Sequence, residues 1–334
     1  MYSQKILTHF PTPAFLEMTA VGLDVTDEAI YFVELHRNKN TFTLGAFGER
    51  ALPSGMVEGG RINDVEGLTK ILRELKNEYG LEYIRASLPE EKTFLFRTEI
   101  PYTEDSKQIK SSLEFKLEEN VPIPPAETIF EFDVINSPYE RVDHLNVSVS
   151  AVPEKVISKY ANVLRSVGLT PLSFEVETWA IAKSVVRKGD QGTIMIVDVG
   201  AVKTVICIVS MGVVRFSSTL SIEVGRDVSL IGRDSTGLLS LVSEIQRIHT
   251  YWNTHNDKGK EVNQKINNVV LSGTTALNLK LDQHLSRKLL APVEFANVWC
   301  NMCSFEEYIP PVDFSKSLDY AVAIGLVLSQ YHDF

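Results

Sequence analysis

One pattern occurs twice in this chain: an apolar strand reaches an aspartate, turns tightly and continues as a second apolar strand. The first copy spans residues 21–26 and the second spans residues 196–201, with Asp24 and Asp198 at the turns. A single copy would indicate only a hairpin, because Asp and Gly are ordinary turn residues. Two copies, one in each half, predict a duplicated α/β fold whose strand ends present carboxylates and backbone N–H groups to phosphates.

Length and charge limit the class of protein. A chain of 334 residues is too long for one small core and predicts two domains. Its apolar fraction of 44% and charged fraction of 23% are typical of a globular protein. The net charge of −10 argues against binding to nucleic acid or to anionic lipid, since both need a basic surface.

The chain carries three cysteines, which is too few for a disulfide framework and favours a reducing compartment. No apolar run reaches the ~20 residues that cross a bilayer, and the first residues do not resemble a signal peptide. We therefore expect a cytoplasmic protein without direct membrane insertion, attached to the membrane only through partners.

Periodicity and turn residues divide the chain further. They predict strands alternating with helices at 65–79, 105–121, 178–186, 236–254 and 275–289. A β-α-β-β unit is predicted at about 91–155, inserted into the first half. The predicted divisions are an extended N-terminal segment at 1–19, a first domain at 20–190 that contains the insertion, and a second domain at 191–334.

The chain lacks the common catalytic motifs, including the Walker loop, the Rossmann fingerprint, HExxH and the nucleophile elbow. Cys300 and Cys303 form a single CxxC, whereas a closed zinc site needs four ligands, so no metal site is predicted. Glu90 and Glu91 are interpreted as a solvated face. No catalytic residue is assigned.

Three turns resemble the first phosphate loop, the second phosphate loop and the adenosine loop of the actin-like ATPase superfamily. They lie at 24–28, 198–204 and 272–275. Within that superfamily the chain most resembles the PilM family of type IV pilus assembly, and the resemblance covers nearly the whole chain. Further segments that carry it are the opening strand at 21–24, the inserted helix at 114–122 and Glu-Ile-Gln-Arg at 244–247.

The resemblance implies a duplicated actin-like (ribonuclease-H-like) two-domain fold with an inserted β-α-β-β subdomain and a shortened outer subdomain on the second domain. It also implies ATP with magnesium as the candidate cofactor. The candidate cofactor-binding residues are Asp24, Thr26, Asp198, Gly200, Ala201, Lys203, Thr204, Gly273 and Thr274. Lys203 is interpreted either as a phosphate contact or as a solvated turn residue.

Departures from the family pattern argue against strong nucleotide binding. Asp27 and Glu28 follow Thr26 where the family usually has glycine and small hydroxyl residues. Carboxylates within ~4–6 Å of a triphosphate would repel it unless magnesium screened them. Only Gly273 remains where the adenosine loop normally has consecutive glycines. We expect nucleotide binding to be weak or lost, and hydrolysis to be absent.

The resemblance further implies a scaffold that binds the N-terminal cytoplasmic peptide of an inner-membrane PilN-like protein and links it to motor ATPases. The peptide would lie between the first domain core and the inserted subdomain. An active ATP-binding protein or small-molecule kinase on the same fold is the alternative, but it needs intact phosphate loops. An FtsA-like division protein would carry a terminal amphipathic helix, and a type II secretion relative a transmembrane segment; we expect neither here.

Overall fold

A computed structural model describes residues 19–38, 41–135, 143–221, 236–255 and 265–331. The predicted N-terminal segment, apart from residue 19, lies outside these ranges, as do residues 222–235 of the predicted outer subdomain. The described strands are β1 (Val21–Val25), β2 (Ala29–Asn38), β3 (Thr41–Ala51), β4 (Val57–Glu58), β5 (Arg61–Ile62), β6 (Tyr83–Leu88), β7 (Phe94–Pro101), β8 (Thr128–Val134), β9 (His144–Pro153), β10 (Thr170–Val176), β11 (Thr193–Val199), β12 (Thr204–Ser210), β13 (Val213–Leu220), β14 (Asn268–Ser272) and β15 (Val293–Phe295). The described α-helices are α1 (Val65–Tyr79), α2 (Ser106–Asn120), α3 (Glu154–Ser166), α4 (Glu177–Val185), α5 (Thr236–His255), α6 (Thr274–Asn278), α7 (Leu281–Leu285), α8 (Phe314–Ser317) and α9 (Ala321–Leu328).

Two five-stranded sheets repeat one topology. The first has the order β10-β6-β1-β2-β3, and the second has the corresponding order β15-β14-β11-β12-β13. In each, the central strand pairs antiparallel with the strand that follows it in the chain and parallel with a strand that returns through a crossover. The predicted duplication of the α/β fold is therefore confirmed.

The two aspartate hairpins have the same register. Val25 pairs with Ile30 in the first, and Val199 pairs with Thr204 in the second. The Thr26 N–H donates to the Ala29 carbonyl and the Gly200 N–H donates to the Lys203 carbonyl, both at 2.9 Å. Asp24 and Asp198 thus occupy equivalent positions, as do Ala29 and Lys203.

Helices α4 and α9 lie between the two sheets and form the central core with both of them. Their backbones approach so closely that a Cβ atom on Gly325 would lie 1.7 Å from the Ala180 carbonyl oxygen. A Cβ atom on Gly22 in β1 would lie 2.0 Å from the carbonyl oxygen of Ala323. Glycine is required at both positions because any side chain would overlap with backbone atoms.

The remaining helices cover the outer faces of the sheets. Helices α1 and α3 pack on the first sheet, and α5, α6 and α7 pack on the second. The helix predicted at 65–79 is confirmed; Asp64 caps its start by accepting from the Gly67 N–H at 2.9 Å. No helix within the described ranges combines the length and the apolar character needed to cross a bilayer.

The single helix predicted at 275–289 is wrong. The chain forms α6 and α7 instead, and Lys280 between them has a left-handed backbone with φ of 51°. This break lets Leu279, Leu281 and Leu285 all reach the core of the second half. Burial of these leucines outweighs the helical preference of the segment.

The inserted unit has a sheet and a core of its own. Strands β7, β8 and β9 form a sheet in the order β7-β9-β8, and α2 packs on one face of it through Ile109, Leu113 and Leu117. The predicted β-α-β-β insertion is therefore confirmed. The unit also contacts the second half, since the buried Ser148 hydroxyl donates to the Val214 carbonyl at 2.8 Å.

The contact between α4 and α9 generates a prediction for Gly325→Ala. We expect this variant to lose ~1–3 kcal/mol of unfolding free energy, because one added methyl group forces α9 away from Ala180. Urea denaturation would measure the loss. Ser111→Ala, a change of similar size on the exposed face of α2, is the control and should leave the midpoint unchanged. A Gly325→Ala protein as stable as the wild type would contradict the close contact.

Candidate functional site

The two aspartate hairpins meet in a cleft between the sheets. Its cavity volume is about 70 Å³. Six of the nine predicted cofactor-binding residues line it, namely Asp24, Thr26, Asp198, Gly200, Lys203 and Gly273. The other three, Ala201, Thr204 and Thr274, are not among the lining residues. The structure therefore brings most of the predicted site together from segments more than a hundred residues apart.

The paired aspartates differ in exposure: Asp24 is buried and Asp198 is half-buried. Asp24 is 3% exposed, and within the described ranges its Oδ1 has no hydrogen-bond partner. Burial raises the pKa of Asp24, although the Ser87 hydroxyl and Lys203 oppose the rise. Burial, together with the nearby Asp24, raises the pKa of Asp198 to about 7. Charge on either carboxyl group is thus disfavoured by its surroundings.

Lys203, a residue of the cleft, forms two ion pairs, one with Glu177 and one with Glu91. Its Nζ donates to Glu177 Oε2 at 2.9 Å and to Glu91 Oε2 at 3.1 Å, and its side chain is only 15% exposed. Its interpretation as a solvated turn residue is therefore wrong. The solvated face predicted at Glu90 and Glu91 is also wrong, because Glu90 is buried and accepts a hydrogen bond from the Thr178 hydroxyl at 2.9 Å.

The polar groups of the first hairpin loop are bonded within the protein. Thr26 Oγ1 accepts from the Ala29 N–H and donates to the Ala29 carbonyl, each at 3.0 Å. The Asp27 carboxylate accepts from the N–H groups of Gly59 and Gly60 at 2.7 and 3.3 Å. Both glycines have positive φ, a conformation that directs successive N–H groups at one anion. Asp27 thus fixes the turn between β4 and β5.

Asp319 closes the loop at 272–275. The sequence did not indicate Asp319 as a residue of this site. Its carboxylate accepts from the Thr274 N–H at 2.7 Å and from the Thr274 hydroxyl at 2.5 Å. Gly273 has a φ of 82°, and a Cβ atom there would lie 2.3 Å from the Val199 carbonyl oxygen. The loop therefore packs directly against the end of β11, and a glycine is needed at position 273 because a side chain would overlap with the backbone of Val199.

The charges that line the cleft are strongly unbalanced. Among the described residues that line the cleft there are one ammonium, that of Lys203, and six carboxyl groups, those of Asp24, Asp27, Glu28, Glu177, Asp198 and Asp319. Within the described ranges no three His, Cys, Asp or Glu side chains are grouped so that they could hold a metal ion. The cavity is also far smaller than the ~300–1,000 Å³ typical of a ligand pocket. In this arrangement the cleft residues do not fit a triphosphate.

A larger groove of about 710 Å³ lies between the inserted unit and the first sheet. Two edge strands border it, β8 of the inserted unit and β10 of the first sheet. Its lining is mixed: it includes the apolar side chains of Leu88, Ile129, Val152, Phe174, Val176 and Trp179, the charged side chains of Glu131, Asp133, Glu175 and Lys183, and residues 211–213 of the second half. Ile129 is 46% exposed although it is large and apolar. The sequence indicated the inserted unit but not the residues of this groove.

The repeated sheets, joined around a cleft between paired aspartate hairpins, define a protein with the duplicated actin-like fold. Residues 22–221 match the model of the family described as type IV pilus assembly protein PilM. The chain belongs to this family.

Solved structures agree on the fold. A PilM-PilN type IV pilus biogenesis complex superposes with a TM-score of 0.77 at 18% identity, covering 95% of this chain and 99% of that chain. The ethanolamine utilization protein EutJ from Carboxydothermus hydrogenoformans superposes with a TM-score of 0.50 at 14% identity, covering 95% and 91%. At these identities the likeness concerns the fold.

The burial of Asp198 predicts a pH-dependent effect of Asp198→Asn. Its carboxyl pKa is about 7 in the folded protein against an ordinary 3.8, so the folded state binds the proton more tightly than the unfolded state. The carboxyl group's contribution to stability therefore falls as the pH rises from about 4 to 7. We expect the variant to be more stable than the wild type at pH 7, by on the order of 2–4 kcal/mol.

Urea denaturation at pH 4.5 and pH 7 would measure this difference, which should shrink at the lower pH. Glu74→Gln removes one exposed carboxylate from α1 and serves as the control, with little change at either pH. An Asp198→Asn protein that is less stable than the wild type at pH 7 would show that the charged form is favoured.

Proposed function

We propose that this protein is a cytoplasmic scaffold of a type IV pilus assembly machine that binds the N-terminal peptide of an inner-membrane PilN-like protein. Its membership of the PilM family supports a role in pilus assembly. The fold shared with a protein solved as a PilM-PilN complex supports a PilN-like partner. In this role the protein lies at the inner membrane through its partner and links that partner to motor ATPases.

The groove between the inserted unit and the first sheet is the observation that carries this proposal. An extended peptide can add to an exposed sheet edge by backbone hydrogen bonds, while alternate side chains enter pockets. Strand β8 is such an edge, and its residues alternate in exposure, with Ile129, Glu131 and Asp133 exposed. The apolar cluster of Leu88, Val152 and Val176 lies at the junction of the two units.

Ile129→Lys tests the peptide site. A lysine there replaces the exposed apolar side chain of β8 with a charged one that a peptide's apolar side chain cannot pack against, so we expect the affinity for a PilN N-terminal peptide to fall at least tenfold. Isothermal titration calorimetry with the synthetic peptide would measure the affinity.

Phe115→Lys provides the matched control for this change. Phe115 is 77% exposed on α2 and is not a groove residue, so the variant should bind the peptide as the wild type does. If Ile129→Lys binds the peptide as tightly as Phe115→Lys does, the peptide-binding site lies outside this groove. A wild-type protein that binds no PilN peptide would refute the scaffold role.

We further propose that nucleotide binding is weak or absent and that the protein does not hydrolyse ATP. The excess of carboxyl groups in the cleft and the pairing of Lys203 with Glu177 and Glu91 support this proposal. A small-molecule kinase would need the same cleft to hold phosphates beside a substrate, so these contacts count against that alternative as well.

Titration of labelled ATP in the presence of magnesium tests the nucleotide proposal. We expect no binding at micromolar nucleotide and no release of phosphate, because the triphosphate would have to displace Glu177 from Lys203 and would meet no other ammonium among the described residues that line the cleft. Sub-micromolar binding with turnover would refute the proposal.

A further inference from the structure

Lys203 connects three parts of the molecule at one point. It lies in the hairpin between β11 and β12 of the second sheet, whereas Glu177 is the first residue of α4. Glu91 belongs to the 3-10 turn Glu90–Lys92, which leads from the first sheet into the inserted unit. We call Lys203, Glu177 and Glu91 the ion triad.

The hairpin that carries Lys203 does not itself need a lysine. In the first copy of the hairpin the equivalent position is Ala29, and the loop has the same length and the same closing hydrogen bond at 2.9 Å. Alanine therefore suffices for this turn. The contacts that distinguish Lys203 from Ala29 are made outside its own hairpin, with Glu177 and Glu91.

The Lys203 ammonium holds the Glu177 and Glu91 carboxylates together where all three side chains are largely shielded from solvent. Burial works against the charged form of Lys203, but Glu177 and Glu91 outweigh it and raise the pKa of the ammonium. Because both carboxylates contact the same nitrogen, their oxygens lie close to each other. Without Lys203 the link between the two carboxyl groups is lost, and breaking a buried pair by removing one partner is strongly destabilising.

Loss of this link would leave fewer contacts between α4 and the 3-10 turn. These two segments are also joined by the hydrogen bond from Thr178 to Glu90 at 2.9 Å. Helix α4 borders the groove, whose lining includes Trp179 and, directly before the helix, Val176, but none of the ion triad. The Trp179 Nε1 group donates to the Ser150 hydroxyl of β9 at 2.9 Å, so α4 also contacts the sheet of the inserted unit directly.

We propose that the ion triad is a strap that holds the inserted unit in position against α4 and so keeps the groove open to a peptide. Lys203 is then a positioning residue, which acts on the groove through Glu177 and Glu91 without touching the peptide. The effect on peptide binding rests on the proposed function, whereas the position of the inserted unit does not.

The first test compares single variants of the full-length protein. For Lys203→Met we expect at least a tenfold loss of affinity for the PilN peptide and faster amide hydrogen exchange at residues 90–101. Lys203→Arg keeps the charge and should recover most of the affinity. Lys76→Met is the control: its ammonium donates to the Val167 and Gly168 carbonyls within the first half, so its loss should leave the affinity unchanged.

A triple variant separates positioning from stability. Lys203→Met with Glu91→Gln and Glu177→Gln removes all three charges, so we expect its unfolding midpoint to recover relative to Lys203→Met while the affinity stays low. Recovery of affinity together with stability would overturn the strap. If the wild type binds no peptide, the proposed function fails, and unchanged hydrogen exchange at 90–101 in a folded Lys203→Met protein would overturn the strap independently.

Discussion

The close contact between α4 and α9 determines how the two halves of the protein are arranged. These helices fill the space between two sheets of the same topology, and Gly325 lies against the backbone of Ala180 without room for a side chain. The position of α4 then decides what surrounds it. Its first residue, Glu177, faces the cleft, and Trp179, less than one turn later, faces the groove. One short helix thus contributes to both candidate sites.

The polar groups of the cleft loops stabilise the framework of the protein. Thr26 bonds to its own turn, Asp27 to the glycines of the next hairpin, and Thr274 to Asp319. Each bond stabilises the contact between neighbouring segments. The same side chains are therefore unavailable to a ligand unless the segments separate, and a hydrogen bond to a charged group contributes ~1.5–3 kcal/mol against such a change.

Much of the architecture could be predicted from the sequence, because strands and helices leave local periodic signals. The helix at 65–79, the inserted unit and the duplicated hairpins are examples. The break at Lys280 could not be predicted, since it depends on the burial of leucines against a distant core. The partners of Lys203 could not be predicted either. Glu91 is 112 residues from Lys203 in the chain. The adjacent pair Glu90 and Glu91 has the sequence pattern of an ordinary solvated face.

The local sequence patterns alone indicate that this chain is duplicated, that its two halves carry matching aspartate hairpins, and that it resembles the PilM family. Local patterns of apolar, acidic and turn residues indicate those properties. What the aspartate hairpins face depends on the tertiary structure. Asp24 is buried and Asp198 half-buried among further carboxyl groups, and among the described residues that line the cleft the single ammonium, that of Lys203, is paired within the protein. Burial and charge pairing depend on segments brought together by folding, which no spacing along the chain reveals.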